Sequence, residues 1–351
     1  MLYLIIVTGR CNLNCTYCGG SISNDIMPSE ITYSLEDLFS FLERDSEASI
    51  AFYGGEPLLR TDLIEKIVQG TEVRHYILQT NGLLLHRLSD SVLKKLNTIL
   101  VSVDGIKEVN DTYRGDVYDK VMENVNSIRR KFRGELIARM VATEKTDIFR
   151  DVSHLLNHFE YVHWQINAVW VEESFYRNFN GWIEKYKEGI TRLVKFWVEK
   201  METGVVVGIV PFLGVVSSFL GKKHPHPPCG SGDDSFTITT DGRVVACPVC
   251  ADLEWNQAGD IWKGIIRKDF LDIQMCSHCR YFNICGGRCL FFSRERLWSR
   301  EKMQAVCDAT IHLIEEIKRQ MPKIERLIER GVVEPCTLHY PEYRNTTEII
   351  P

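Results

Sequence analysis

Cys11, Cys15 and Cys18 stand at spacings of four and three, directly after the apolar run Leu2 to Val7. That run is rich in branched residues and reads as a buried strand, and Thr8-Gly9-Arg10 marks the loop that ends it. The three sulfurs therefore belong at the carboxyl end of a first strand, where α/β folds place their chemistry. Structural zinc takes four ligands, and so does each ordinary iron–sulfur cluster. Three thiolates on a four-iron cluster would leave one iron open to something that is not protein, which is a catalytic arrangement. A zinc loop is the alternative.

The chain has 351 residues and twelve cysteines, three before residue 20 and nine after residue 228. A length of this order suggests two domains, or a barrel with an appendage. A disulfide-rich secreted protein would be smaller and would begin with a signal peptide, whereas Met1 to Val7 is too short and lacks a basic start. A reducing compartment, the cytoplasm, is expected, with metal binding ahead of disulfides. The net charge of −5 gives no reason to expect nucleic acid or an anionic membrane. The apolar stretch Gly204 to Leu220 is interrupted by Pro211 and reads as a buried strand and short helix rather than a membrane span.

Up to about residue 220 the pattern alternates strand and helix. Strand candidates are Leu2 to Val7, Ser49 to Tyr53, His75 to Gln79, Ile99 to Val103, Leu136 to Val141 and Val162 to Val169. Ser34, Thr61 and Ser89 read as N-caps of intervening helices, and a long amphipathic stretch runs from about Asn180 to Met201. Such alternation argues for a parallel sheet with sites on the loops after its strands. Gly54-Gly55-Glu56-Pro57 follows the second strand, so two glycines free the backbone to approach a ligand while Glu56 could accept from an ammonium group. Asp104-Gly105 reads as a plain turn. Lys222 to Pro228 is a proline-rich connector, in which His224 and His226 read as linker rather than ligands. Beyond it come an Asp241-Gly242 hairpin and the run Cys276-x2-Cys279-x5-Cys285-x3-Cys289, then Cys307 on an amphipathic helix. A tandem zinc module is the competing reading of these cysteines.

CNLNCTYC resembles the CxxxCxxC signature of the radical S-adenosylmethionine (radical SAM) enzymes, and Gly54 to Pro57 resembles that family's GGEP motif. Cys229, Cys247, Cys276, Cys279, Cys285, Cys289 and Cys307 resemble the SPASM extension, which carries auxiliary iron–sulfur clusters. The resemblance implies a partial (β/α)6 barrel over residues 1–221, a small cysteine-rich SPASM domain with a β-hairpin and helices over 222–335, and a tail over 336–351. It implies three clusters: one on Cys11, Cys15 and Cys18, one on Cys276, Cys279, Cys285 and Cys307, and one on Cys229, Cys247 and Cys289. Whether Cys250 closes the last or leaves it open to substrate stays undecided, and Cys336 is read as a free thiol. S-adenosylmethionine would be held by Tyr17, Gly54, Gly55, Glu56, Ser102 and Arg114, with Asn167 and Ala168 near the adenine.

The implied activity is reductive cleavage of S-adenosylmethionine to a 5′-deoxyadenosyl radical that takes hydrogen from a peptide or protein side chain. Expected partners are that substrate and an electron donor such as ferredoxin or flavodoxin; since the first strand begins at residue 2, any leader would be read by a separate leader-binding protein or by the tail after Val332. Sulfatase-maturing members carry an acid after the cysteine matching Cys247, where this chain has Pro248. An enzyme acting on a small-molecule or cofactor precursor, and a non-enzymatic electron carrier, are the other readings. Glu144, Glu172 and Tyr113 are eligible as an acid or second hydrogen donor.

Overall fold

The computed structural model describes residues 1–168, 171–224, 226–267, 269–271 and 276–351. Its strands are β1 (Leu2–Thr8), β2 (Ser49–Gly54), β3 (Tyr76–Thr80), β4 (Leu96–Ser102), β5 (Glu135–Ala142), β6 (Tyr161–Ile166), β7 (Gly208–Ile209), β8 (Ser235–Ile238), β9 (Arg243–Val245), β10 (Gln257–Asp260) and β11 (Gly264–Ile265). They make one sheet in the order β11-β10-β9-β8-β1-β2-β3-β4-β5-β6-β7. From β1 to β6 neighbours pair in parallel and in chain order, with helices in the crossovers. This is the α/β architecture read from the sequence. Val169, the expected end of the sixth strand, lies outside the described residues; β6 itself stops at Ile166.

Local signals explain most boundaries. Ser34 accepts from the Asp37 amide and starts the helix Leu35–Leu42, and Ser89 accepts from the Val92 amide to start Asp90–Lys95. Thr61 is not a cap. The chain enters helix Thr61–Gly70 through a 3-10 turn, Pro57–Arg60, whose first amide bond goes to the Glu56 side chain. Proline at that position needs no amide partner, so the start moves one turn upstream. The Gly204 to Leu220 stretch becomes β7 and the buried helix Val210–Phe219. Among the described residues no helix is long and apolar enough to cross a membrane.

The cysteine-rich part does not hang off the sheet; it continues it. β8 runs parallel to β1, from Leu2 opposite Ser235 to Ile5 opposite Ile238, and β9 to β11 follow antiparallel. The Asp241-Gly242 hairpin forms as read, with Gly242 at φ 85°. Beyond it the helix Arg300–Glu329 packs along Phe179–Glu202.

The segment after residue 336 is no loose tail. Tyr340 stacks on Tyr161 at 4.3 Å and Tyr343 on His75 at 3.8 Å. Asn345 donates to Glu135 at the start of β5. Glu348 then meets His163 and Arg139 in mid-strand, and Pro351 accepts from Arg288. The segment thus climbs β5 and β6 from their amino to their carboxyl ends. Cys336, before this climb, is exposed and unbonded to other cysteines.

Candidate active site

The first cysteine loop is fixed at both ends by backbone. The Cys18 and Gly19 amides both donate to the Cys15 carbonyl, at 2.9 and 3.1 Å, and the Thr16 amide donates to the Tyr113 carbonyl. Cys15 is buried, Cys11 partly so, and Cys18 is exposed. Burial pushes the Cys15 thiol up to about 11, with the Arg114 charge opposing and Cys18, Asp104 and Cys11 adding to the rise. Three thiols this close, one of them open to solvent, ionise together only when a metal takes their charge. Among the described residues no three His, Cys, Asp or Glu side chains converge as on a single ion. A four-iron cluster binds each thiolate on a different iron and does not ask for that convergence.

The GGEP loop is pressed directly onto the cysteine loop. The Gly55 amide donates to the Thr8 carbonyl at 3.0 Å and the Glu56 amide to the Arg10 carbonyl at 2.8 Å. A Cβ on Gly54 would lie 2.3 Å from Thr8 O, and one on Gly55 2.3 Å from Arg10 O. The glycines are needed for this backbone approach. Glu56 is fully buried, and its carboxylate accepts from the Leu58 amide, the Thr80 hydroxyl and the Asn81 amide. It ties the loop to the end of β3. Asn81 continues the link by donating to Asn12, inside the cysteine loop.

Arg114 is paired within the protein: its Nε and Nη2 donate to the two oxygens of Asp104 at 2.8 and 2.9 Å. Asp104, read as a turn residue, is completely buried and accepts further from the Tyr17 hydroxyl and the Val141 amide. Tyr17, Asp104 and Arg114 form a buried relay that holds the cysteine loop against β4 and β5. A lone carboxylate ending the apolar run of β4, with an arginine ten residues on, was the signal available in the sequence. Ser102 is the last, half-buried residue of β4.

The three residues eligible for proton transfer lie in different surroundings. Glu144 accepts from the Arg177 and Asn178 amides, Glu172 pairs with Ser174 at the surface, and Tyr113 packs between Tyr17 and Phe175.

The remaining cysteines fall into two neighbourhoods. Cys285 lies near Cys276 and Cys307, and Cys307 near Cys279. Cys229 lies near Cys247 and Cys289, and Cys247 shares a sulfur contact with Cys250, which is the main cause of its raised pKa ahead of burial. Burial pushes Cys285 and Cys289 each up to about 12. Asn256, missed by sequence reasoning, is fully buried and organises the second set: its side chain accepts from the Cys247 amide and donates to the carbonyls of Cys247 and Cys250, each at 2.8 Å. The His224 ring bonds Ser217 and the His226 ring packs on Phe282, at the start of the short helix that ends in Cys285.

Residues 5–156 match the model of the radical SAM superfamily. This region is a radical SAM domain. The chain is also 26% identical, over 80% of its length and 85% of the relative's, to a cysteine-type anaerobic sulfatase-maturating enzyme of Clostridium perfringens (strain 13 / Type A). A GTP 3′,8-cyclase of Campylobacter jejuni (strain RM1221) is 36% identical over 132 residues, 35% of this chain and 41% of that one. Among solved structures, native anSMEcpe with bound AdoMet matches with a TM-score of 0.73 over 94% of this chain and 100% of that one, at 22% identity. Streptococcus suis SuiB bound to precursor peptide SuiA matches with a TM-score of 0.56 over 84% of this chain and 73% of that one, at 14% identity. These likenesses are of fold.

Proposed function

We propose that the protein is a radical SAM/SPASM enzyme that takes a hydrogen atom from a side chain of a peptide or protein. The observation that carries this reading is the contact of two loops: three thiols at the end of β1, locked by backbone bonds to the Gly54-Gly55-Glu56 turn at the end of β2. Cys11, Cys15 and Cys18 would hold a four-iron cluster, and their graded exposure leaves one side for S-adenosylmethionine. When bound, that pair supplies one-electron cleavage to methionine and a 5′-deoxyadenosyl radical. The chain's own part is positional. Gly54 and Gly55 bring backbone to the cofactor, Glu56 and Asn81 hold that backbone still, and Asp104 with Arg114 and Tyr17 fixes the cysteine loop. Ser102, at the same edge of the sheet, is the remaining side chain for cofactor contact.

Residues 1–221 make the radical SAM unit and 222–335 the cluster-bearing unit, with 336–351 packed back onto the first. Cys276, Cys279, Cys285 and Cys307 suit one auxiliary cluster; Cys229, Cys247 and Cys289 suit another. Ferredoxin or flavodoxin would supply electrons in the cytoplasm, and a separate protein would present the substrate's leader. Two observations bear on the substrate. Similarity across most of the chain to sulfatase-maturating enzymes favours a peptide cysteine, while Pro248 puts no acid beside Cys247. The second reading, a small-molecule precursor, draws on the shorter match to GTP 3′,8-cyclase.

Anaerobic reconstitution with iron and sulfide, reduction, and measurement of 5′-deoxyadenosine tests the reaction. The unsubstituted protein should release it and Cys15→Ala should not. A protein that takes up iron but releases none is an electron carrier. Mass spectrometry of a co-expressed neighbouring peptide, or of a cysteine-containing sulfatase peptide, then identifies the substrate through the loss of hydrogen.

A further inference from the structure

Beside the second auxiliary set lies a cavity of about 60 Å³, lined among others by Gln165, Asn167, Cys229, Arg288, Cys289 and Glu348. Its wall is polar and unsatisfied. Asn167 Nδ2 and Oδ1, Arg288 Nη1 and Glu348 Oε2 make no hydrogen bond among the described residues. Asn167 and Arg288 are 2% and 8% exposed, so solvent does not serve them. Groups of this kind are buried only when something occupies the space between them.

Glu348 is the most demanding of the four. Arg139 stands 3.7 Å from its Oε1, beyond hydrogen-bond range, and the nearer Arg139 nitrogen already donates to Gln165 at 2.8 Å. His163 Nε2 is 3.0 Å from Oε2, yet that nitrogen accepts from the Glu348 backbone amide at 3.3 Å. One ring nitrogen cannot accept there and donate to the carboxylate at once. Oε2 is thus a buried anionic oxygen without a donor, and such oxygens are paired or coordinate metals. Cys229 and Cys289 share its cavity wall.

We propose that Glu348 is the non-thiolate ligand that completes the iron–sulfur cluster of Cys229, Cys247 and Cys289. The assignment rests on the reading of those three cysteines as cluster ligands. Cys250, the sequence candidate for the same place, touches Cys247, and both stand off the cavity that Glu348 shares with Cys229 and Cys289. The geometry also gives Arg288 a purpose. It holds φ 67°, a left-handed conformation that residues with a side chain disfavour. In that position its Nε donates to Pro351 O at 2.8 Å, fixing the segment that bears Glu348 beside Cys289.

The test uses full-length protein reconstituted anaerobically, with Glu348→Gln, Glu348→Cys and Cys250→Ser. Iron and sulfide content, Mössbauer spectra and the electron paramagnetic resonance of the reduced clusters are read for each. Glu348→Gln should alter the spectrum and potential of one auxiliary cluster and leave the other two signals in place. Glu348→Cys should restore full iron content with a spectrum unlike the original, and Cys250→Ser should match the unsubstituted protein. If Glu348→Gln is superimposable on the unsubstituted protein, or Cys250→Ser loses the cluster, the role of Glu348 is overturned while the cluster stands. If the unsubstituted protein has only two cluster signals, the cysteine assignment falls and Glu348 with it.

Discussion

Asp104 shows how much depends on one buried carboxylate. It collects the Tyr17 hydroxyl, the Val141 amide and both arms of Arg114 in a site closed to water. Removing one member of a buried ion pair strands the other charge and costs about 3–5 kcal/mol, whereas losing one neutral donor costs about 1 kcal/mol. Asp104→Asn should therefore lower stability to denaturant far more than Tyr17→Phe, and should also reduce iron uptake by the first cysteine loop. Equal losses in the two variants would show that Asp104 is not the hub. A second expectation concerns acid. Burial keeps His163 below its ordinary value and pulls His224 down to about 4, with the Lys222 and Arg344 charges adding to it. Below the ordinary histidine value the unfolded chain binds protons that the folded chain refuses. Stability should fall as pH drops from about 6.5 towards 4, and His224→Gln should flatten that fall in pH-dependent denaturant titrations.

Loops that touch each other hold the site, and here sequence and structure part company. The thiol spacing and the two glycines were legible, because each is a local pattern with a local cause. Glu56 and Arg114 were legible as important but not in their partners, since those partners, Thr80, Asn81 and Asp104, arrive on β3 and after β4. Asn256 carried no local signal at all; its three bonds to Cys247 and Cys250 exist only once β10 pairs with β9. Asn256→Ala strips the Cys247 amide and carbonyl of their side-chain partner at about 1–3 kcal/mol each, while the Cys250 carbonyl keeps the Leu253 amide. It should cost the second auxiliary set its iron before the first, as seen by iron analysis at increasing denaturant. Gly55→Ala puts a methyl against Arg10 O and should abolish 5′-deoxyadenosine formation. Restored activity in Gly55→Ala would show that the close approach of the two loops is dispensable.

At the scale of the whole molecule, the alternation of strand and helix gave the order of β1 to β6, because parallel units are written one after another. The continuation through β8 was hidden, since nothing in four short residues says which edge they will join. Because β1 is paired on both sides and the last segment packs on β5 and β6, calorimetry should show one cooperative transition, not a separate melt for each half. Ile349 sits against Gly214, and Ile349→Ala should lower that single transition by about 2–5 kcal/mol. The place of β1 has a consequence for biosynthesis. β1 is made well before β8, so one of its edges stays bare until Ser235 to Ile238 have followed. For most of translation the nascent chain presents a hydrophobic strand with reactive thiols at its tip. Metal loading before that edge closes would trap the thiols in an unfinished scaffold, so iron delivery belongs after the chain is released.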